Sequence, residues 1–174
     1  MSILKLLYFP NNKLRIIAKP VKRIDDKIKL LIDDMIQTMY IKKGIGLAAT
    51  QIGTHKRIIV IDISNKQNNP LIFINPKLII IDKTKISNEE GCLSIPLQKH
   101  FIFRYKTVKV QAKNLINKNF EIETSNLLSY CLQHEIDHLN GILFIDYLSN
   151  LKYQRIYQKM EKFHKKMKRC KINK

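Results

Sequence analysis

Residues 133–138 read Gln-His-Glu-Ile-Asp-His, and this stretch decides how the rest of the chain is interpreted. It places His134 and His138 four positions apart, with Glu135 next to the first histidine. On an α-helix of about 3.6 residues per turn, this spacing turns both imidazoles onto one face. Two such histidines can hold a metal ion, and the neighbouring carboxylate can take the proton of a water that the metal activates. The pattern therefore predicts metal-assisted hydrolysis.

The residues around the motif predict the helix that the motif needs. Ser125 can cap the start of this helix, and Asn140-Gly141 can end it. Apolar residues recur between these ends at spacings of three, four and seven, which is typical of a helix with one buried face: Leu127, Leu128, Cys131, Leu132 and Leu139. The histidines continue the row of Leu127 and Cys131, so we expect a helix over residues 125–139 with both rings facing inward.

A catalytic metal usually has three protein ligands and one open position. The candidates for the third ligand are Cys131, which lies three residues before His134, and Cys92, which lies far upstream in residues 90–96, Glu-Gly-Cys-Leu-Ser-Ile-Pro. The helical spacing of the apolar residues does not decide whether Cys131 or Cys92 is the third ligand. A cysteine beside a glycine suits a rigid loop that presents a thiolate, whereas Cys131 is typical of a small buried hydrophobe. Cys170 is a poor candidate because it lies in a basic tail. His55, His100 and His164 are also poor candidates, because each is isolated in the sequence and such histidines favour exposed polar positions.

Three separated segments closely resemble the peptide deformylase family. They are Gly44-Ile45-Gly46-Leu47-Ala48-Ala49-Thr50-Gln51, Glu90-Gly91-Cys92-Leu93-Ser94 and Gln133-His134-Glu135-Ile136-Asp137-His138, in the family's order and at about its spacing. The region from Phe9-Pro10 to Lys19-Pro20-Val21 also resembles the family's N-terminus, so the likeness extends over residues 1–165. It implies an enzyme that removes the formyl group from the N-terminal formyl-methionine of newly synthesised proteins and releases formate from a linear amide.

The resemblance implies a role for each matching residue. Cys92, His134 and His138 would ligate one divalent metal, Fe²⁺ by the family's preference, although Zn²⁺, Ni²⁺ and Co²⁺ suit the same donors. Glu135 would be the catalytic carboxylate, and the Leu93 backbone N–H and the Gln51 side-chain amide would stabilise the oxyanion. Gly46 would hydrogen-bond the substrate backbone, and Ile45 would line the methionine pocket. Three further residues would also contact the substrate: Gly44, Tyr130 and Lys99. Cys131 would then be a packed thiol near the pocket.

The chain departs from the common family pattern near the expected pocket. Lys43 stands where an acidic residue is frequent, Tyr130 where an aliphatic one is frequent, and Lys99 where arginine is common. These departures leave the preference beyond the first substrate residue open. A pairing of Glu90 with Arg104 would brace the Cys92 loop, and separate solvated charges are the alternative.

Parts of this sequence also resemble three other classes of protein. Gly44-x-Gly46-x-x-Ala49 with Asp62 downstream fits a loose dinucleotide fingerprint, but the predicted helix precedes the glycines and the predicted strand follows them, so we expect no nucleotide cofactor. A zinc endopeptidase also uses H-E-x-x-H, yet the usual downstream third ligand is missing here. An RNA- or ribosome-binding protein with a structural metal would close the site with four ligands, including Cys131.

Length and patterning predict one domain over residues 1–174 with an α+β fold. The hydrophobic share of 45% is ordinary for a globular chain, and three cysteines, an odd number, give no disulfide framework. Apolar periodicity predicts helices at 12–18, 25–41 and 148–169, and strands at 57–63, 71–81, 100–110 and 119–123. The resemblance implies small antiparallel sheets around a central catalytic helix, followed by a C-terminal helix.

The net charge of +18 is concentrated at the C-terminal end, where residues 152–174 hold ten Lys or Arg and one acid, so that 10 − 1 = 9 of the charges lie there. The basic segment 148–174 also has an apolar stripe, which favours a docked surface helix with a solvated basic face. Attraction to the ribosome is the functional alternative, and it predicts that deleting residues 152–174 weakens ribosome binding. An AT-rich genome would also enrich Lys, Ile and Asn.

The N-terminus has no secretory signal, no membrane span and no room for a transit peptide, so we expect a bacterial cytoplasmic protein.

Overall fold

The computed structural model describes residues 2–172, with side chains described as far as residue 167. Seven strands form two antiparallel sheets: β1 Gly46–Ala48, β2 Ile58–Ile61, β3 Leu71–Ile80, β4 Lys85–Cys92, β5 Ile95–Tyr105, β6 Thr107–Lys113 and β7 Asn119–Ser125. Five of them make a sheet in the order β1-β2-β3-β6-β7, and β4 and β5 pair as a separate hairpin. Three helices complete the fold: α1 Asp26–Ile41, α2 Asn126–Leu139 and α3 Asn150–Ile172. The predicted α+β fold, with small antiparallel sheets around the central helix, is confirmed.

The five-stranded sheet is covered on both faces. Strand β2 is the clearest sign of this, because all four of its residues are buried, as expected for a strand with apolar neighbours on each side. Ile58 and Val60 pack in the cluster around α1, while Ile59 and Ile61 pack in the cluster around α2. The period of two in a strand therefore sends alternate side chains to two helices, and α2 is held against the sheet by a continuous apolar core.

A third cluster fixes the C-terminal helix. Ile156 and Met160 of α3 are each 1% exposed and pack with Phe9, with Ile95 and Ile102 of the hairpin, and with the chain that follows α2. The expected docked helix with an apolar stripe is therefore confirmed. Deleting residues 152–174, as the sequence suggested, would remove part of this core, so a ribosome experiment needs substitutions on the exposed face instead.

The predicted elements differ from the observed ones in four places. The strand expected over 100–110 is wrong, since the chain turns at Lys106 and its two parts join different sheets. The helix expected at 12–18 is one 3₁₀ turn, Asn12–Arg15, and strands β1 and β4 were missed. Ser125 does occupy the N-cap of α2, but its side chain makes no capping hydrogen bond. Cys170 and the basic residues beyond 167 lie outside the part whose side chains are described.

None of the helices in residues 2–172 combines the length and the apolar character that a membrane span requires. The glycines at 44 and 46 follow α1 and lead into β1. This order is the reverse of the strand, glycine loop and helix that a dinucleotide site uses.

Candidate active site

Helix α2 brings the two motif histidines together on its buried face. The ring centroids of His134 and His138 lie 4.8 Å apart, and the side chains are 9% and 1% exposed. Cys92, the last residue of β4, faces them, with its Sγ 3.2 Å from Nε2 of His138. One possible ligand atom from each of these residues lies within 4.8 Å of the others, so the group fits a single metal ion.

The geometry of the cluster distinguishes between Cys92 and Cys131, the two candidates for the third ligand that the sequence spacing did not separate. Cys131 does not belong to the cluster formed by the described residues. It is buried, and burial raises the pKa of its thiol to about 12, which disfavours the thiolate that binds metals. One sulfur and two imidazoles, with no fourth protein donor in the cluster, match an open site for a borderline metal such as Fe²⁺ or Zn²⁺.

Glu90 fixes the orientation of one histidine. Burial alone would raise the pKa of Glu90, but hydrogen bonds from His134 and Arg104 outweigh it and hold the pKa at about 2. The carboxylate therefore accepts a hydrogen bond from Nδ1 of His134 at 2.9 Å, which leaves Nε2 of that ring for the metal cluster. The pKa of His138 is lowered by burial first and by the charges of His134 and Arg104 next, so this ring stays neutral and keeps a lone pair.

Arg104 links Glu90 to the motif helix. Its Nε and Nη2 donate to the two oxygens of Glu90 at 2.7 and 3.0 Å, and its Nη1 donates to Asp137 at 2.5 Å. Asp137 also accepts a hydrogen bond from the hydroxyl of Tyr147 at 2.9 Å. The pairing of Glu90 and Arg104 considered from the sequence is therefore present, and the guanidinium is 4% exposed.

Glu135 is a buried carboxyl group with spare hydrogen-bonding capacity. Burial, with the charge of Glu90, raises its pKa to about 7, while His134 and Arg104 oppose this shift. Two buried side-chain atoms lack a partner within the described residues, Oε2 of Glu135 and Nδ1 of His138, and both belong to this site. Buried polar atoms are normally paired. An acid that titrates near neutrality and has a free oxygen is suited to exchange a proton with a bound molecule.

Gln51 has a fixed amide orientation. Its Oε1 accepts a hydrogen bond from the backbone N–H of Ala48 at 2.8 Å. Its Nε2 must therefore point the other way, where it lies 3.5 Å from Sγ of Cys92 and 3.2 Å from Oγ of Ser94. Gln51 is 1% exposed, so its amide is held inside the site instead of in solvent.

The cluster opens into a cavity of about 670 Å³. This volume is within the range of about 300–1,000 Å³ that is usual for small-ligand sites. Ten of the eleven site residues named from the sequence line it: Gly44, Ile45, Gly46, Gln51, Cys92, Leu93, Lys99, Tyr130, His134 and Glu135. His138 lies behind the cavity as the deepest member of the metal cluster.

The sequence predicted the exposure of several residues wrongly, and it missed some residues that line the cavity. Leu127 does not face inward with the histidines; it is 44% exposed at the cavity. His55, His100 and His164 are half-buried instead of exposed, and none joins the metal cluster of the described residues. The contact between Glu90 and His134 was missed, because it depends on strand β4, which no apolar alternation reveals in the sequence. Leu6, Tyr8 and Phe163 line the cavity from chain ends that no sequence pattern connects with it.

Comparisons with known proteins agree with this geometry. The sequence profile of the polypeptide deformylases matches residues 3–154. The chain belongs to the peptide deformylase family. Peptide deformylases of Hamiltonella defensa and of Buchnera aphidicola from Acyrthosiphon pisum are 54% and 53% identical to it. These alignments cover 95% and 99% of this chain, and 96% and 99% of the relatives. A crystal structure of a peptide deformylase from Legionella pneumophila superposes with a TM-score of 0.91 at 43% identity, covering 97% of this chain and 99% of that one.

Membership makes the chain a hydrolase of peptide deformylase type, which acts in the processing of protein N-termini. The third member of this deformylase's metal cluster is the upstream residue Cys92, and the described cluster contains no residue downstream of His138. Both findings argue against the endopeptidase interpretation.

Proposed function

We propose that this deformylase removes the formyl group from the N-terminal formyl-methionine of newly synthesised proteins in the bacterial cytoplasm, using one divalent metal ion. The observation that carries the proposal is the buried Oε2 atom of Glu135, which has no partner among the described residues. It lies beside the Cys92, His134 and His138 cluster and lines a cavity of about 670 Å³. A cleft with a perturbed acid and a metal-binding donor set is suited to the hydrolysis of an amide.

Cys92, His134 and His138 would hold the metal, with Fe²⁺ as the proposed ion. When bound, the metal would supply Lewis acid chemistry, which polarises the formyl oxygen and acidifies water. A thiolate ligand would offset part of the metal's charge and weaken its effect on water, so a base close by becomes more important. Glu90 keeps His134 oriented for this role through the hydrogen bond to Nδ1.

Glu135 would carry the proton through the reaction. In its ionised form, the free Oε2 accepts the proton from the attacking water. The same oxygen then donates the proton to the departing methionine nitrogen, so that the amine leaves as a neutral group. A pKa near 7 suits both halves of this transfer, because the group gains and loses a proton at similar cost.

Gln51 and Leu93 would stabilise the charge that develops on the formyl oxygen. The Gln51 amide is already turned with its N–H bonds towards the Cys92 loop. The Leu93 backbone follows Cys92 directly, so its N–H is close to the same centre. Donors of this kind are each worth about 2.7–4 kcal/mol in the transition state.

The substrate would enter past the glycine segment. Ile45, Tyr130 and Cys131 all line the cavity, and Ile45 and Tyr130 would enclose the methionine side chain there. Gly46 would hydrogen-bond the substrate backbone, and Gly44 would let that backbone pass beside Leu93. Lys99, in β5 near the mouth, is mostly exposed and pairs with Glu89 at 3.4 Å, so it would contact residues beyond the first.

The variant Glu135→Gln tests the reaction. It keeps the shape of the side chain but removes the proton carrier, so deformylation of a formyl-Met peptide should fall by at least about a hundredfold. Metal content should stay at one ion per chain, as measured by plasma mass spectrometry after anaerobic purification. Persistence of wild-type turnover in the variant would refute the assigned role of Glu135.

The identity of the metal is tested by metal analysis and by removing and restoring the ion. Protein purified without oxygen should contain Fe²⁺, and turnover should vanish on removal by a chelator and return with Fe²⁺. Cys92→Ser should lower the metal content under the same conditions. Full activity in metal-free protein would refute the metal-dependent mechanism.

We also propose that the exposed face of α3 contacts the ribosome. Lys162, Lys165 and Lys166 are exposed on this helix, while Ile156 and Met160 hold its other face in the core. Basic side chains on one face favour an anionic surface such as ribosomal RNA. Reversing the three lysines to Glu should weaken co-sedimentation with ribosomes in a salt-dependent way. Reversing Lys27, Lys83 and Lys118, which are exposed elsewhere, is the control with equal charge change, and equal losses in both triples would refute the proposal.

A further inference from the structure

A second cavity of about 580 Å³ lies next to the catalytic one. Its walls come from residues 3–8 and Asn11 of the N-terminal segment, from Lys42 at the end of α1, and from His164 and Met167 of α3. Three of these residues, Leu6, Tyr8 and Lys42, also line the catalytic cavity. The two cavities therefore share part of their walls, and the exposed residue Lys42 lies at the border between them.

The floor of this N-terminal groove is tied to the catalytic elements. The backbone N–H of Leu7 donates to the carbonyl of Gln51 at 2.8 Å, and that of Phe9 donates to the carbonyl of Ser94 at 2.9 Å. On the other side, the N–H of Leu4 donates to Oγ1 of Thr38 at 2.9 Å. A groove anchored at three points is pre-formed, so a bound chain would not have to order it.

The groove is basic and partly apolar. Lys5 and Lys42 are exposed, as is Lys43 on the catalytic side, and none of the three forms a salt bridge with the side chains described up to residue 167. The described lining contains no acidic residue. Ile3 and Met167, which are 60% and 39% exposed, offer apolar contacts at its edge.

We propose that this groove binds the substrate polypeptide downstream of its first residues and selects acidic side chains there. The inference depends on the proposed function, because its ligand is the rest of the formylated chain. The border that the groove shares with the catalytic cavity at Lys42 places it next to the substrate's entry, and the exposed residues Lys5, Lys42 and Lys43 supply charge complementarity to Asp or Glu. The groove residues would contact none of the reacting atoms, so we expect them to stabilise the ground state and the transition state equally. Uniform binding of this kind lowers KM and leaves kcat unchanged.

The test compares formyl-Met tripeptides with heptapeptides whose last four residues are acidic, neutral or basic. At low salt, the acidic heptapeptide should have a KM about fivefold below that of the basic one, with equal kcat, since exposed charge pairs give effects of this size. The difference should shrink at about 1 M salt, where the screening length is about 3 Å.

The double variant Lys5→Glu/Lys42→Glu should invert the order of the acidic and basic heptapeptides. Lys83→Glu/Lys118→Glu lowers the net charge equally at sites that line neither cavity, and it should keep the wild-type order. Equal KM values for acidic and basic heptapeptides would overturn the inference, as would an inversion in both double variants. If no formylated peptide of any length is turned over, the proposed function itself fails, which is a separate outcome.

Discussion

Arg104 holds Glu90 with two parallel hydrogen bonds, from Nε to Oε1 at 2.7 Å and from Nη2 to Oε2 at 3.0 Å. The same Oε2 accepts a hydrogen bond from His134. One arginine on β5 therefore orients a carboxylate on β4, which in turn orients His134 on α2, a member of the cluster that could hold a metal. Because all three groups are buried, their charges are costly unless each stays paired.

Arg104→Met should destabilise the fold. The change leaves Glu90 buried without its partner, and the loss of one member of a buried ion pair costs about 3–5 kcal/mol. Urea denaturation followed by circular dichroism measures the free energy of unfolding. Arg155→Met, at an exposed position of α3, is the matched control, and a loss no greater than that of the control would contradict the assigned role.

Gly46 should not accept a side chain. A Cβ built there overlaps the Oε1 atom of Glu135, and it lies 2.9 Å from the carboxyl carbon. Gly46→Ala should therefore displace the carboxylate and lower kcat by about tenfold or more, since misplaced catalytic groups are this costly. In Gly91→Ala, the nearest atom to the new methyl is Lys99 Cγ at 3.4 Å, so this variant should lose much less. Equal kcat values for the two variants would contradict the steric argument.

The catalytic helix could be predicted from the sequence, because a 14-residue amphipathic pattern with capping residues at both ends was enough to locate it. The cluster that could hold a metal was partly predictable. The spacing placed both histidines together, but Cys92 was chosen only by the family resemblance, because it approaches α2 through strand pairing that no local pattern records. The family resemblance also supplied Gln51, whose burial follows from the turn at Ala49–Ile52.

The hairpin was the hardest element to predict. Strand β4 reads Lys-Ile-Ser-Asn-Glu-Glu-Gly-Cys, and most of its side chains are exposed or half-buried, so it lacks the apolar alternation of a core strand. Strands β5 and β6 both alternate and are separated only by Lys106, with no Gly or Pro to mark the turn. The mistaken strand at 100–110 has this origin. That the chain forms one domain over residues 1–174 stays a prediction.

Asp62 should make stability depend on pH at the acidic end. Burial would raise the pKa of Asp62, but hydrogen bonds from Ser64, Tyr40 and Asn69 outweigh it and lower the pKa below its usual value. A carboxyl with a lowered folded pKa stabilises the fold above its unfolded pKa of about 3.9, and this stabilisation is lost as the pH falls through the folded value. The difference in unfolding free energy between wild type and Asp62→Asn should therefore be constant above about pH 5 and should shrink below about pH 4. Urea denaturation at a series of pH values measures it, and a difference independent of pH would contradict this account.

Ile156 should be essential to the docking of α3. It is 1% exposed and packs with Phe9, Phe144 and Met160 in the third core cluster. Ile156→Ala leaves a cavity in that cluster, and such substitutions cost about 2–5 kcal/mol. Leu151→Ala, on the same helix but 63% exposed, is the control and should cost well under 1 kcal/mol. Thermal unfolding monitored at 222 nm compares them. A loss in Ile156→Ala no larger than the control would mean that α3 is not part of the cooperative core, and the charge-reversal experiments on its exposed lysines would then report on a helix that is free to detach.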